Sequence, residues 1–154
     1  MAYTFRGGIH PGTKNDPGFK SATNKKPIEV LKAPDKVVLP VSMHIGAPAK
    51  PLVKKGDIVD MGQMIAEAGG FVSAPVHASV SGKVVDVIPM LHQNGSKVLS
   101  IVIENDHEDR LHESVKPKDF ESMSNDERIQ AIWDAGIVGH GGATFPTHVK
   151  IKSG

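Results

Sequence analysis

The densest chemistry in the chain lies in Gly139-His140-Gly141-Gly142-Ala143-Thr144-Phe145-Pro146-Thr147-His148-Val149-Lys150. Closely spaced glycines let a backbone point several N–H groups at one anion with no side chain in the way, and a helix starting after the loop would add a favourable partial charge. Thr144 or Thr147 can donate a hydroxyl, Lys150 can neutralise a phosphate, and Phe145 offers an aromatic face to a planar ring. A plain turn between a helix and the next element is the competing reading. The string is not a Walker A loop, because no Gly-Lys-Ser/Thr ending is present. It is not a dinucleotide fingerprint either, since the glycines at 139, 141 and 142 do not give G-x-G-x-x-G and a helix precedes the loop where a strand is required. A mononucleotide phosphate site survives both exclusions.

Other reactive side chains are few. The chain has no cysteine, which removes disulfides, thiolate zinc, iron–sulfur ligation and a thiol nucleophile, so any redox group must be organic or borrowed. His44 and His77 stand in short apolar stretches, and His92, His107 and His112 in polar ones. None shows an H-x-x-x-H spacing, and we read the first two as hydrogen-bonded packing residues and the rest as solvated. Lys plus Arg number 18 against 17 for Asp plus Glu, and a net charge of +1 gives no electrostatic reason to expect nucleic acid as a partner. No run approaches the ~18 apolar residues that would span a bilayer. The stretch from Met1 to Gly12 lacks the apolar core of a secretory signal, so the sequence reads as soluble and cytosolic.

The elements that must position the loop follow from patterning. Ser124-Asn125-Asp126-Glu127 fits the S-x-x-E capping box, so a helix should start there. Ile129, Ile132 and Trp133 fall on one face, and Gly136 can take the left-handed conformation that ends the helix. That helix needs a surface to cover its apolar face, either from the β unit or from a second copy. Residues 106–123 are charged and aperiodic, as expected of a linker crossing solvent between packed units. Residues 37–105 carry short β-branched runs such as Val84-Val85-Asp86-Val87-Ile88 and Val98-Leu99-Ser100-Ile101-Val102-Ile103, bounded by turn residues, and predict an all-β unit. Residues 1–36 have no sustained period and read as an extended arm.

Within the β unit, Val53-Lys54-Lys55-Gly56-Asp57-Ile58-Val59 through Gly62-Gln63-Met64-Ile65 resembles one half of a biotinyl or lipoyl domain, and Ala78-Ser79-Val80-Ser81-Gly82-Lys83-Val84 resembles the other. Gly56 and Gly62 suit tight turns, and Gly82 a turn or bulge. The resemblance implies a barrel-sandwich hybrid fold. A carrier of this type presents one lysine at a hairpin tip. Here that position falls on Phe71, and no lysine occurs between Lys55 and Lys83, so neither biotin nor lipoate is expected. Gly69-Gly70-Phe71-Val72-Ser73 is then a docking or structural turn.

The string from Ala135 to Lys150 resembles the flavin loop of the RnfC component of Rnf-type electron-transport complexes. It is also similar to the GRGGAGFPTGxKW loop of the respiratory complex I flavoprotein, where Thr144 is replaced by glycine. Phe5-Arg6-Gly7-Gly8-Ile9-His10-Pro11 with Lys14 resembles the opening of RnfC, and Val41 through Asp106 resembles its β domain. The whole is expected to be mainly β: an arm, a barrel-sandwich hybrid, a linker, one helix, and over 124–154 the truncated start of an α/β domain that binds FMN and NADH. The resemblance implies NADH oxidation by FMN, with electrons passing through two 4Fe-4S clusters toward ferredoxin and membrane components that move Na⁺ or H⁺. It implies the other Rnf subunits as partners and a peripheral place on the cytoplasmic face of the membrane. By position, Gly139, Gly141, Gly142, Ala143, Thr144 and Lys150 would contact FMN or the nicotinamide nucleotide. The cluster cysteines are expected downstream, and the sequence ends four residues after Lys150, so the chain alone is expected to be inactive. A docking module, or part of the cobalamin-reductase flavoprotein of bacterial microcompartments, is the alternative.

Overall fold

A computed structural model describes residues 20–153. The opening motif from Phe5 to Pro11, with Lys14, lies outside the described residues. The chain divides into two units, Met1–Lys32 and Ala33–Gly154. Within the first, Lys20 to Lys26 form a turn closed by Asn24 N–H donating to the Lys20 carbonyl at 2.8 Å. An extended stretch follows, on which Ile28, Val30 and Leu31 are exposed.

The second unit begins with β1 (Lys36–Pro40) and continues through β2 (Lys50–Pro51), β3 (Ile58–Val59), β4 (Met64–Glu67), β5 (Val76–His77), β6 (Gly82–Leu91) and β7 (Lys97–Asn105). The strands form a four-stranded sheet ordered β1-β7-β6-β3 and a three-stranded sheet ordered β2-β4-β5. Apolar residues from both sheets, including Val59, Ile65, Ala66, Val76, Val84, Ile101 and Ile103, meet in one buried core. Burying such side chains is the main driving force for the assembly. The fold is thus mainly β and of the barrel-sandwich hybrid kind.

The glycines divide by cause. Gly56 and Gly62 have φ of +100° and +83° and sit in tight turns, as their spacing predicts. Gly82 is neither a turn nor a bulge. It lies in register between Val59 and Asn105, and the irregularity in the β6–β7 ladder comes later, between Val84 and Asp86. A Cβ at Gly82 would lie 1.9 Å from the Glu104 carbonyl oxygen, so glycine is there for close strand approach.

The charged segment after β7 does not simply cross solvent. Leu111 bridges Met61 in parallel, His112 N–H donates to the Met61 carbonyl at 3.0 Å, and the Arg110 guanidinium reaches Asp60 at 3.0 Å and Asp106 at 2.7 Å. The segment stays largely exposed, but Arg110 and the Leu111 bridge tie its first residues to the β unit.

Helix α1 (Asn125–Asp134) begins at the Ser124 cap with both arms of the box formed: Glu127 N–H donates to Ser124 Oγ, and Ser124 N–H to the Glu127 carboxylate at 2.8 Å. Gly136 ends it with φ +68°. Where one helix was expected the described residues hold two, because α2 (Thr147–Ser153) follows the loop. Its Thr147, Val149 and Ile151 alternate and are β-branched, a pattern that does not signal a helix. Between the helices only an isolated bridge, Val138 to Pro146, is formed. The covering surface that α1 needs comes from the β unit and α2: Gly136 closes on the Pro75 carbonyl and the His77 ring, and Trp133 stacks on His148. No helix among the described residues is long and apolar enough to cross a membrane.

Candidate functional site

The glycine loop hangs between the two helices on a closed base. Thr147 N–H donates to the Ile137 carbonyl at 3.2 Å and Gly139 N–H to the Phe145 carbonyl at 2.8 Å. Inside, Thr144 N–H donates to the Gly141 carbonyl at 3.0 Å. The N–H groups of Gly141, Gly142 and Ala143 donate to no protein acceptor among the described residues.

Neither packing nor backbone conformation requires glycine at 139, 141 or 142. A Cβ at Gly141 or Gly142 would meet nothing within 4 Å, one at Gly139 would make only ordinary contacts, and none of the three has positive φ. The glycines are therefore unexplained by this chain's own fold. They fit a group approaching the backbone from outside, as a phosphate does.

Thr144, by contrast, holds φ +47°, where a β-branched residue is strained. It stands where the related complex I loop has glycine, which adopts that conformation freely. Lys150 is exposed on α2, with Nζ 5.7 Å from the centroid of the Phe145 ring and 3.4 Å from where a Gly139 side chain would begin. The six residues singled out are thus close in the chain and partly brought together: Lys150 stands over Gly139, beside Phe145. An ammonium with three donors suits a phosphate, as do backbone N–H groups left without a protein acceptor.

What holds this loop has no counterpart in the sequence patterns. Ile45 N–H donates to the Ala143 carbonyl at 3.1 Å. His148, 1% exposed, places Nε2 at 3.0 Å from the Phe71 carbonyl, meets the Phe71 ring edge-on, and stacks on Trp133 with centroids 4.8 Å apart. His148 Nδ1 and Trp133 Nε1 are buried with no partner among the described residues. Such atoms cost about 1–3 kcal/mol each, so the pair is an expensive way to fill a core. No period or motif signals it.

The remaining histidines occupy backbone-bonded or polar positions. His44 Nε2 accepts from Ala74 N–H at 3.1 Å. His77 is held below its ordinary pKa by burial, offset in part by the Asp134 carbonyl and carboxylate. His107 reaches Asp35 at 3.1 Å and His112 reaches Ser114 at 2.8 Å. The described residues contain no grouping of three or more His, Asp or Glu able to hold a metal.

Over residues 3–108 the chain matches the family described as the RnfC barrel sandwich hybrid domain. It is 51% identical over 149 residues to the C subunit of the Na(+)-translocating ferredoxin:NAD(+) oxidoreductase complex of Acetobacterium woodii, covering 96% of this chain and 32% of that one. Against the C subunit of the proton-translocating ferredoxin:NAD(+) oxidoreductase complex of Clostridium ljungdahlii, identity is 47% over 152 residues, with 98% and 32% covered. Against the C subunit of the ion-translocating oxidoreductase complex of Rhodobacter capsulatus it is 40% over 154 residues, with 99% and 29% covered. The chain spans about a third of the length of these relatives. It belongs to the RnfC family and has that family's N-terminal barrel-sandwich hybrid domain.

Proposed function

We propose that this chain is the part of an RnfC protein in which the barrel-sandwich hybrid meets the start of an FMN- and NADH-binding domain, and that residues 139–150 bind the flavin phosphate. The observation that carries this reading is the trio of glycines at 139, 141 and 142, which the fold itself does not need. On this reading the N–H groups of Gly141, Gly142 and Ala143 donate to phosphate oxygens and the Lys150 ammonium neutralises them. Thr144 fixes the exit of the loop, and the Phe145 ring borders the site. FMN takes electrons from NADH as a hydride pair and releases them singly, which is the chemistry a route toward one-electron clusters needs. The clusters themselves need cysteines from outside these residues, since the sequence contains none.

The relatives' names carry ion-translocating ferredoxin:NAD⁺ oxidoreduction with Na⁺ in one and protons in the other. We extend to this chain the shared activity, partnership with the other Rnf proteins and with NADH, and a peripheral position at the cytoplasmic membrane face. Titrating FMN into the 154-residue chain tests the loop directly. Saturable quenching of flavin fluorescence is expected, weakened at least about tenfold in Gly141→Val, where a side chain blocks approach of the phosphate. Because that side chain has open space, thermal unfolding should be unchanged. A wild-type chain that binds no FMN would leave a docking domain instead.

A further inference from the structure

The connection from β4 to β5 holds the hairpin tip at which a carrier domain of this fold presents its lysine. Here it is locked into the body of the unit. Ser73 is fully buried, its Oγ accepts from Gly69 N–H at 2.9 Å, and its hydroxyl donates to the Ala47 carbonyl at 2.8 Å. Ala47 N–H returns a bond to the Val72 carbonyl at 3.0 Å. Two glycines permit this fusion. A Cβ at Gly46 would lie 2.0 Å from the Val72 carbonyl oxygen, and one at Gly69 would lie 2.0 Å from that of Pro48. The tip and residues 44–49 therefore form one rigid shelf.

Two contacts from this shelf hold the glycine loop and the helix that follows it. Ile45 holds the Ala143 carbonyl inside the loop, and the Phe71 carbonyl holds His148, one residue into α2. A carbonyl can only accept, so Nε2 of His148 carries the proton. Trp133 stacks on the other side of that imidazole and ties in α1, the element entering the loop. Beyond the bonds that close its own base, the loop is thus backed by a buried side chain at its exit and a backbone bond at its middle.

We propose that the hairpin tip Gly69–Ser73 is a positioning clamp for the glycine loop, with His148 as the positioning residue that transmits it. The shape of the tip is kept from the carrier fold while its task becomes holding a binding loop rather than carrying a swinging group. This inference rests on the phosphate reading for its purpose but not for its geometry. A loop with free N–H groups binds an anion well only if those groups are already aimed, because ordering them on binding lowers affinity.

The test compares the wild-type chain with His148→Leu and His148→Gln by backbone amide exchange, FMN titration and NMR of the imidazole nitrogens. We expect the Nε2–H tautomer in the wild type. In His148→Leu, amides of residues 139–144 should exchange about tenfold faster while those of β7 keep their protection. FMN affinity should fall by a similar factor, and His148→Gln, which restores a donor, should recover part of both. Unchanged loop exchange in His148→Leu, or an Nδ1–H tautomer in the wild type, would overturn the clamp. If the leucine variant loses protection throughout, the wild-type tautomer decides alone. A wild type that binds no FMN sinks the phosphate reading, and the exchange comparison still decides the clamp.

Discussion

At the scale of single residues, glycines separate what this chain needs for folding from what it holds ready for something else. Gly82 and Gly56 both have positive φ, at +151° and +100°, yet their surroundings differ. An alanine Cβ at 82 collides with the Glu104 backbone, which β pairing fixes, whereas one at 56 points into open space. Gly82→Ala should therefore lose about 3 kcal/mol through strain and strand displacement. Gly56→Ala should lose only the left-handed penalty of about 1 kcal/mol. Urea unfolding midpoints of the two variants check this, and equal losses would refute the close-approach explanation. Sequence alone marks Gly56 for a turn and Gly82 for a turn or bulge, because a cross-strand approach depends on which residue lies opposite. Residues 141 and 142 form the other class, in which a side chain costs the fold nothing and any loss must appear in binding.

At the scale of elements, legibility follows how local the cause is. The capping box at Ser124 is complete within four residues, so α1 can be placed from the sequence, and the bond from Ser124 holds the Glu127 carboxyl below its ordinary pKa. Ser124→Ala should cost about 1 kcal/mol, read as a lower thermal midpoint, with Ser124→Asp keeping most of the stability because aspartate also caps. An alanine variant as stable as wild type would mean that packing of Ala131 and Trp133, not the cap, sets where α1 begins. Helix α2 is the opposite case. Seven residues give too few turns to stand alone, and its place is set by buried His148 and Val149, the former against Phe71 and Trp133, both distant in sequence. The same reason hides the clamp: a lone histidine among β-branched residues has no period to betray a task. The β4–β5 tip is legible as a turn lacking its lysine, but what sits on it is not.

At the scale of the whole molecule, the two half-motifs identify the barrel-sandwich hybrid because turn glycines and β-branched runs are fixed by local chemistry. The charged string after β7 is largely exposed, as runs of charge usually are, but its first residues are tied down by Asp106 and Arg110. Asp106 accepts from the Ser81 hydroxyl at 2.6 Å, from Glu108 N–H at 3.0 Å and from Arg110 at 2.7 Å, while Arg110 also reaches Asp60. These bonds, with that from Ser81 foremost, lower the Asp106 pKa from its ordinary 3.8 to about 2. A carboxylate more acidic in the folded state stabilises fully above its unfolded value and loses that contribution as pH falls through the folded one. The window thus runs from near 3.8 down to about 2. Asp106→Asn should lower stability at neutral pH and flatten the acid limb of a stability–pH curve across that window, leaving the remaining carboxylates to account for what is left. Because Arg110 and Leu111 lie on the β unit beside Asp60 and Met61, the loss should also free residues 106–112, seen as faster exchange of the Met61 and His112 amides. An acid limb identical to wild type would mean that Arg110 and the Leu111 bridge hold the segment without Asp106.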